Sequence, residues 1–220
     1  MHPRLKCAVL AAAAVLAACA PMPSSAPNKM GFFVTSANPG NGADLGGLPG
    51  ADAYCQKLAS TVNGGNGNWR AYLSAAPAGN APAVHARDRI GRGPWLNAKG
   101  VVVATSVDHL HSAGNPLSKA NALTEKGDAV SGRGDAVNMH DILTGSTADG
   151  RLDTSALDTT CGNWTQSGEG SAIVGHHDRT GLDDSAPAKS WNASHATRGC
   201  GMAALKATGG AGLMYCFAAN

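Results

Sequence analysis

The sequence predicts an α+β domain with a mixed sheet, short helices and long glycine-rich loops. Apolar, β-prone runs recur along the chain, starting at residues 30–35. Between residues 51 and 62 the apolar positions instead follow a helical spacing. The 29 glycines, many in Asn-Gly, Gly-Gly and Asp-Gly pairs, interrupt almost every other stretch, as is typical of irregular loops.

Each element has its own local signal. The helix over residues 51–62 has Asp52 in its first turn and Cys55 on its buried face. The three consecutive valines within residues 100–104 predict a buried strand, and Thr105 or Ser106 can cap a short helix after it. Further strands are expected at residues 30–35, 69–73, 142–143, 171–174 and 213–217.

The N-terminus has the pattern of a secretory signal. Arg4 and Lys6 precede an apolar stretch too short for the roughly 20 residues of a membrane-spanning helix. The segment Leu16-Ala17-Ala18-Cys19 resembles the bacterial lipobox, so Cys19 is expected to carry a lipid anchor. The alternative is an ordinary signal peptide cleaved near Ala18.

These signals divide the chain into three parts. Residues 1–18 are the expected signal peptide, residues 19–29 a proline-containing tether, and residues 30–220 one domain. Ala20 lies where an Asp would indicate retention at the inner membrane, so we expect an exported protein that is lipid-anchored in the cell envelope at the outer membrane. The lipid is then the protein's only link to the membrane.

Charge excludes some partners. Removing residues 1–18 deletes two of the 17 basic residues and leaves 15, against 15 acidic ones. A formally neutral chain has no general attraction to nucleic acid, so binding of any polyanion requires a local patch. No motif indicates a cofactor.

Four cysteines remain after the lipobox: Cys55, Cys161, Cys200 and Cys216. An even number in an exported chain predicts two disulfides, although four cysteines allow three connectivities. No pair has the Cys-x-x-Cys spacing of a zinc site.

Several motifs, taken in order, resemble a known family. The segment Cys161-Gly162-Asn163-Trp164 and the apolar run at residues 213–217 resemble the C-type-lectin-like fold. More narrowly, the chain is similar to the endostatin domain of collagens XV and XVIII, and to bacterial endostatin-like exported proteins. The segments that carry this similarity are GADAYC (50–55), WRAYLS (69–74), HARDR (85–89), TGS (144–146) and DGR (149–151).

The resemblance implies nested disulfides, Cys55 with Cys216 and Cys161 with Cys200. It does not extend to the usual calcium site of sugar-binding lectins. The chain has neither a Glu-Pro-Asn nor a Gln-Pro-Asp loop, and Trp191-Asn192-Ala193 lacks the final carboxylate of the lectin strand. Asp183 and Asp184 can supply oxygens nearby, but an exposed acidic turn is the simpler interpretation. Glycan binding is therefore expected to be independent of calcium.

A ligand site is expected around the basic segment that holds Arg87, Arg89 and Arg92. Arginine binds sulfate, phosphate or carboxylate through paired hydrogen bonds. Trp95 follows closely, and aromatic faces stack on sugars; Trp191 and Asn192 are the other candidates. The alternative is that Asp88 pairs with these arginines and merely organises a loop.

The sequence indicates no metal site among the histidines. His176 and His177 are adjacent in the densest cluster, His-His-Asp, but neighbouring side chains on a strand point to opposite faces. The chain also lacks G-x-S-x-G, H-E-x-x-H and P-loop motifs.

The sequence thus favours a calcium-independent binding module for a glycan, polyanion or matrix protein. The alternatives are an envelope hydrolase with a cryptic metal or Ser/His site, and a structural envelope lipoprotein. A cleft where titratable side chains converge would favour the enzyme, whereas a flat surface exposing aromatic and arginine side chains would favour binding.

Overall fold

A computed structural model describes residues 29–62, 64 and 67–219. The expected signal peptide and Cys19 lie outside these residues. The described residues form eight strands, four helices and one 3-10 turn, and none of the helices is both long and apolar enough to cross a membrane. In chain order the elements are β1 (Phe32–Val34), α1 (Gly47–Ser60), β2 (Trp69–Ala71), the 3-10 turn (Ala86–Asp88), β3 (Trp95–Leu96), β4 (Val102–Ala104), α2 (Val107–Leu110), β5 (Asp141–Leu143), α3 (Cys161–Trp164), β6 (Ile173–His176), β7 (His195–Ala196), α4 (Met202–Thr208) and β8 (Gly210–Ala218).

One mixed sheet organises the domain. Its strand order is β1-β8-β5-β6-β7, and β2 also pairs with β8. The β5–β8 pair is parallel, and the other pairs in this sheet are antiparallel. A separate hairpin, β3–β4, packs beside it. The expected α+β class with short helices is confirmed.

The core lies on both faces of the central strand β8, because successive strand side chains alternate between faces. Met214 and Cys216 belong to a cluster that packs under α1. Tyr215 and Phe217 belong to the opposite cluster, which also holds Trp95. All four of these β8 side chains are fully buried.

Two disulfides stabilise this arrangement. Cys55 in α1 is bonded to Cys216 in β8, and Cys161 is bonded to Cys200, with sequence separations of 161 and 39 residues. This is the pairing that the family resemblance implies. All four cysteines are fully buried. A loop-rich domain gains most from such links when they close long loops, because they restrict the unfolded chain.

Two local expectations need correction. Helix α1 begins at Gly47 rather than at residue 51, because Pro49 is tolerated in a first turn, so Asp52 lies one turn further in. The strand at residues 100–104 is not buried throughout: Val101 and Val102 are 49% and 42% exposed. Strand β4 pairs with β3 in a two-stranded hairpin, which leaves one face in solvent. The expected cap is confirmed, since Ser106 accepts a hydrogen bond from the His109 amide.

Candidate functional site

An open cleft of about 510 Å³ lies at one end of the main sheet. We call it the histidine cleft, because His140, His176 and His195 line it together. Its rim includes Arg133 and Arg198, both exposed.

Strand pairing explains why these residues meet. Asp141 starts β5 and His176 ends β6, and the antiparallel register places them directly opposite each other. His195 starts β7 opposite Val174, two residues from His176. Paired residues, and residues two apart on a strand, share one face of a sheet. Asp141, His176 and His195 therefore project from the same face at the same end.

The three imidazoles converge on one carboxylate. The Nε2 atoms of His140, His176 and His195 lie 3.1, 3.3 and 3.5 Å from Asp141 Oδ1. The His140 and His176 rings are stacked, with centroids 4.1 Å apart. The side chains of His140, Asp141 and His176 are almost completely buried, whereas that of His195 is 37% exposed.

The other ring nitrogen of each histidine lies near an oxygen that can only accept a hydrogen bond. These contacts are His140 Nδ1 with Asp178 Oδ1 at 3.3 Å, His176 Nδ1 with Ala188 O at 2.8 Å and His195 Nδ1 with Ala196 O at 3.2 Å. Each of these contacts therefore places an N–H on Nδ1. Each Nε2 faces Asp141 Oδ1, which also can only accept a hydrogen bond.

The carboxylates of this cluster are held ionised. Burial alone would raise the pKa of Asp141, but its contacts with His176 and His195 outweigh burial and lower the pKa below its usual value. Burial would also raise the pKa of Asp178. Its hydrogen bonds with His140 and with the Arg133 and Thr180 amides outweigh burial and lower that pKa well below its usual value. In turn, contact with Asp141 raises the pKa of His195.

Serine, histidine and aspartate are in contact in the cleft, but the histidine nitrogen that faces the serine has no free lone pair. Ser194 Oγ lies 3.2 Å from His176 Nδ1, and His176 Nε2 lies 3.3 Å from Asp141. A general base must accept the serine proton through a free lone pair. His176 Nδ1 instead carries the proton that it donates to Ala188 O. Ser194 is therefore not activated in this arrangement.

The basic segment expected to bind ligand lies outside the cleft. Two of its three arginines are paired with other groups of the protein. The Arg87 side chain is 19% exposed; it donates to Asp149 O and pairs with Asp108 at 3.0 Å. The Arg89 side chain is 12% exposed and pairs with Asp52. In the alternative interpretation Asp88 pairs with these arginines, but the observed partners of Arg87 and Arg89 come from distant parts of the chain. Arg92 is exposed.

The two candidate tryptophans offer no open face for a sugar. Trp95 and Trp191 are 1% and 4% exposed, and both belong to the core cluster opposite α1. Asn192 is 1% exposed, and its Nδ2 donates to Tyr72 Oη at 2.9 Å and to the Thr147 carbonyl at 3.1 Å. A ligand-binding role for these three residues stays a prediction, and the observed contacts are structural ones.

The acidic turn has local partners. Asp183 accepts a hydrogen bond from the Ser185 amide, and Asp184 pairs with Lys189 at 2.6 Å. Both carboxylates are exposed. These contacts agree with an exposed acidic turn rather than a set of converging calcium ligands.

His176 and His177 point to opposite sides, as expected, but this does not exclude a metal site that uses His176 alone. His176 faces the cleft, whereas His177 Nε2 contacts Ser131 O on the other side. His176 is joined by the adjacent residues His140 and Asp141 and by His195, so the cluster draws on three separate segments. No local motif links them, and only the pairing of β5, β6 and β7 would have revealed the cluster.

No model of a known protein family matches the chain, and no curated protein matches it.

Proposed function

We propose that this domain is a calcium-independent binding module and that the histidine cleft binds an anionic group of a glycan or other polymer. The observation that carries the proposal is the pair of arginines at the rim of the cleft. Within the described part of the chain, the guanidinium groups of Arg133 and Arg198 have no ion-pair or hydrogen-bond partner. Unpaired guanidinium groups are suited to sulfate or carboxylate, which they bind through two parallel hydrogen bonds.

Other features of the rim support the same proposal. Leu182 is 88% exposed and lines the cleft, so it offers apolar contact beside the two positive charges. Asp183 also lines the cleft and offsets one of those charges. The chain as a whole carries no excess of positive charge after its first 18 residues. Binding is therefore expected to be local, modest in affinity and weakened by salt.

An endostatin-like form of the C-type-lectin-like fold is part of this proposal. The order of the matching segments and the nested disulfides support it. An exported lipoprotein anchored through Cys19 in the outer membrane is the proposed setting, which would present the cleft to extracellular or periplasmic polymers.

The test is retention on a sulfated-polysaccharide column. The double variant Arg133→Ala/Arg198→Ala should lose retention, because it removes both unpaired charges at the rim. Arg92→Ala is the matched control: it removes an exposed arginine outside the cleft and should elute with the wild type. Circular dichroism verifies that each variant is folded. Unchanged elution of the double variant would overturn the proposal.

A metal-assisted hydrolase is the second candidate function. The convergence of titratable side chains at the floor of the cleft favours it, since catalytic metal sites use few protein ligands and leave a position for water. The test is zinc-dependent hydrolysis of ester, phosphodiester and peptide model substrates. Loss of hydrolysis in Asp141→Asn would support the hydrolase, and no hydrolysis by zinc-loaded wild type would remove this candidate.

A further inference from the structure

We propose that His140, Asp141 and His176 form a binding site for a divalent transition-metal ion, for which zinc is the best match, with His195 as the fourth ligand. The inference goes beyond anion binding at the rim and does not depend on it. It assigns a role to the floor of the histidine cleft, where the imidazoles and the carboxylate meet.

The floor of the cleft holds buried polar atoms that lack hydrogen-bond partners. Both carboxylate oxygens of Asp141 and Nε2 of His176 are buried, and none of them has a partner in hydrogen-bond geometry within the described residues. Buried polar atoms are almost always satisfied, and an unpaired buried carboxylate is especially costly. A cation bound between these atoms would satisfy all three at once.

The candidate ligand atoms lie close enough together to share one ion. One ligand atom each from His140, Asp141 and His176 can be chosen so that all three lie within 4.8 Å of one another. Zinc binds imidazole nitrogen and carboxylate oxygen at about 2.0–2.2 Å, so neighbouring ligands of a tetrahedral site lie roughly 3.4 Å apart. Small side-chain movements would bring the three ligand atoms to this separation.

The outer partners of the rings are those typical of metal-binding histidines. Metal-binding histidines commonly donate their second ring N–H to a carboxylate or a backbone carbonyl, which fixes the tautomer and turns the free lone pair toward the ion. His140 has this relation to Asp178, and His176 has it to the Ala188 carbonyl.

The ligand types select the class of ion. Imidazole nitrogens with one carboxylate suit zinc and other first-row transition metals. Calcium requires six to eight oxygen ligands, and this floor offers mainly nitrogen. His195, half-buried with its Nε2 3.5 Å from Asp141 Oδ1, is placed to complete a tetrahedral set from the side of the cleft.

The competing explanation is a cluster of protonated histidines around Asp141, with no metal. The two explanations make opposite predictions for the effect of zinc. If imidazolium groups alone occupy the floor, zinc does not raise the melting temperature of the wild type. If a metal binds here, zinc raises that melting temperature, and Asp141→Asn abolishes the rise.

The experiment uses the purified chain without a polyhistidine tag, stripped with a chelator that is then removed. Zinc is titrated by calorimetry, and cobalt serves as a spectroscopic probe of four-coordinate geometry. We expect one ion per chain. His176→Ala should weaken zinc binding more than about 100-fold, and Asp178→Asn about 10–100-fold, as is typical for outer partners of metal-binding histidines. His195→Ala should weaken it less than His176→Ala.

His109→Ala is the matched control, because His109 lies outside the cleft and contacts Thr105. It should bind zinc like the wild type. Two results would overturn the proposal: no zinc binding by the wild type, or equal binding by wild type and Asp141→Asn. Melting temperatures with and without zinc separate lost metal binding from lost folding.

Discussion

Arg89 binds both carboxylate oxygens of Asp52, with Nη2 2.8 Å from Oδ1 and 2.6 Å from Oδ2. The pair joins the segment after β2 to helix α1, and both side chains are about nine-tenths buried. Asp52 also accepts hydrogen bonds from the Ala71 amide and from Arg70. Arg89 is therefore part of a buried network that holds α1 against β2, and it is not available to a ligand.

Arg89→Ala is expected to lower the free energy of unfolding by about 2–4 kcal/mol. Removing one partner of a buried pair leaves the other charge uncompensated, and here Arg70 retains part of the interaction. Arg92→Ala, at an exposed position, should change it by less than about 0.5 kcal/mol. Urea denaturation of both variants measures the difference. Equal stability of the two variants would contradict the structural role of Arg89.

The basic segment shows what local sequence does and does not predict. The concentration of arginines at residues 87–92 is visible directly, but their partners Asp52 and Asp108 lie on other elements. Ion pairing depends on the tertiary arrangement. The sequence therefore located the charges, but it could not show that Asp52 and Asp108, rather than Asp88, pair with two of these arginines.

Tyr72 and His111 form a second buried polar contact that responds to pH. Tyr72 Oη lies 2.7 Å from His111 Nε2, and His111 Nδ1 lies 2.7 Å from Val107 O. Burial raises the pKa of Tyr72 far above normal, so its hydroxyl keeps its proton and donates to Nε2. Burial also lowers the pKa of His111, which favours the neutral ring.

This arrangement predicts a loss of stability in acid. Below the unfolded pKa of about 6.5 the unfolded chain binds a proton at His111 that the folded chain does not, so stability falls as pH falls. The contribution has a slope of at most about 1.4 kcal/mol per pH unit and levels off below the folded pKa. His111→Gln should have a flatter profile than the wild type between pH 7 and roughly pH 5. Parallel profiles in chemical denaturation would show that His111 is not held neutral.

Calcium should have no effect on ligand binding. Asn192 is buried and committed to Tyr72 and to backbone carbonyls, and Ala193 follows where the lectin strand has a carboxylate. Retention on the polysaccharide column should therefore be the same with and without added calcium after chelator treatment. Recovery on addition of calcium, but not of zinc, would indicate an oxygen-rich site that involves Asp183 or Asp184.

The histidine cluster at the floor of the cleft could not be predicted from local sequence. Opposite orientation of His176 and His177 follows from strand geometry alone, and the structure agrees. His140 and His195 join His176 only because β5 and β7 flank β6 at the same end. The sequence predicted these strands only in part and gave no information on their order or register. The disulfide pairing could be predicted, because the family resemblance implies it.

Anchoring through Cys19 is a separate prediction about the part of the chain that precedes the described domain. Cys19→Ala should release the protein from isolated membranes, since a lipid chain on this residue is the proposed link. Membrane fractionation measures the release, and mass spectrometry of the wild type should detect the lipid. An unmodified Cys19 in membrane-extracted protein would contradict the prediction.

Anion binding in the histidine cleft is tested most directly by a nuclear magnetic resonance titration of the isotope-labelled protein with a sulfated oligosaccharide. We expect the largest chemical-shift changes at Arg133, Arg198 and His195 in the histidine cleft; these changes should saturate together and be reversed by salt. Changes confined to residues 87–92, with the cleft unaffected, would contradict binding in the cleft and return the ligand site to the basic segment.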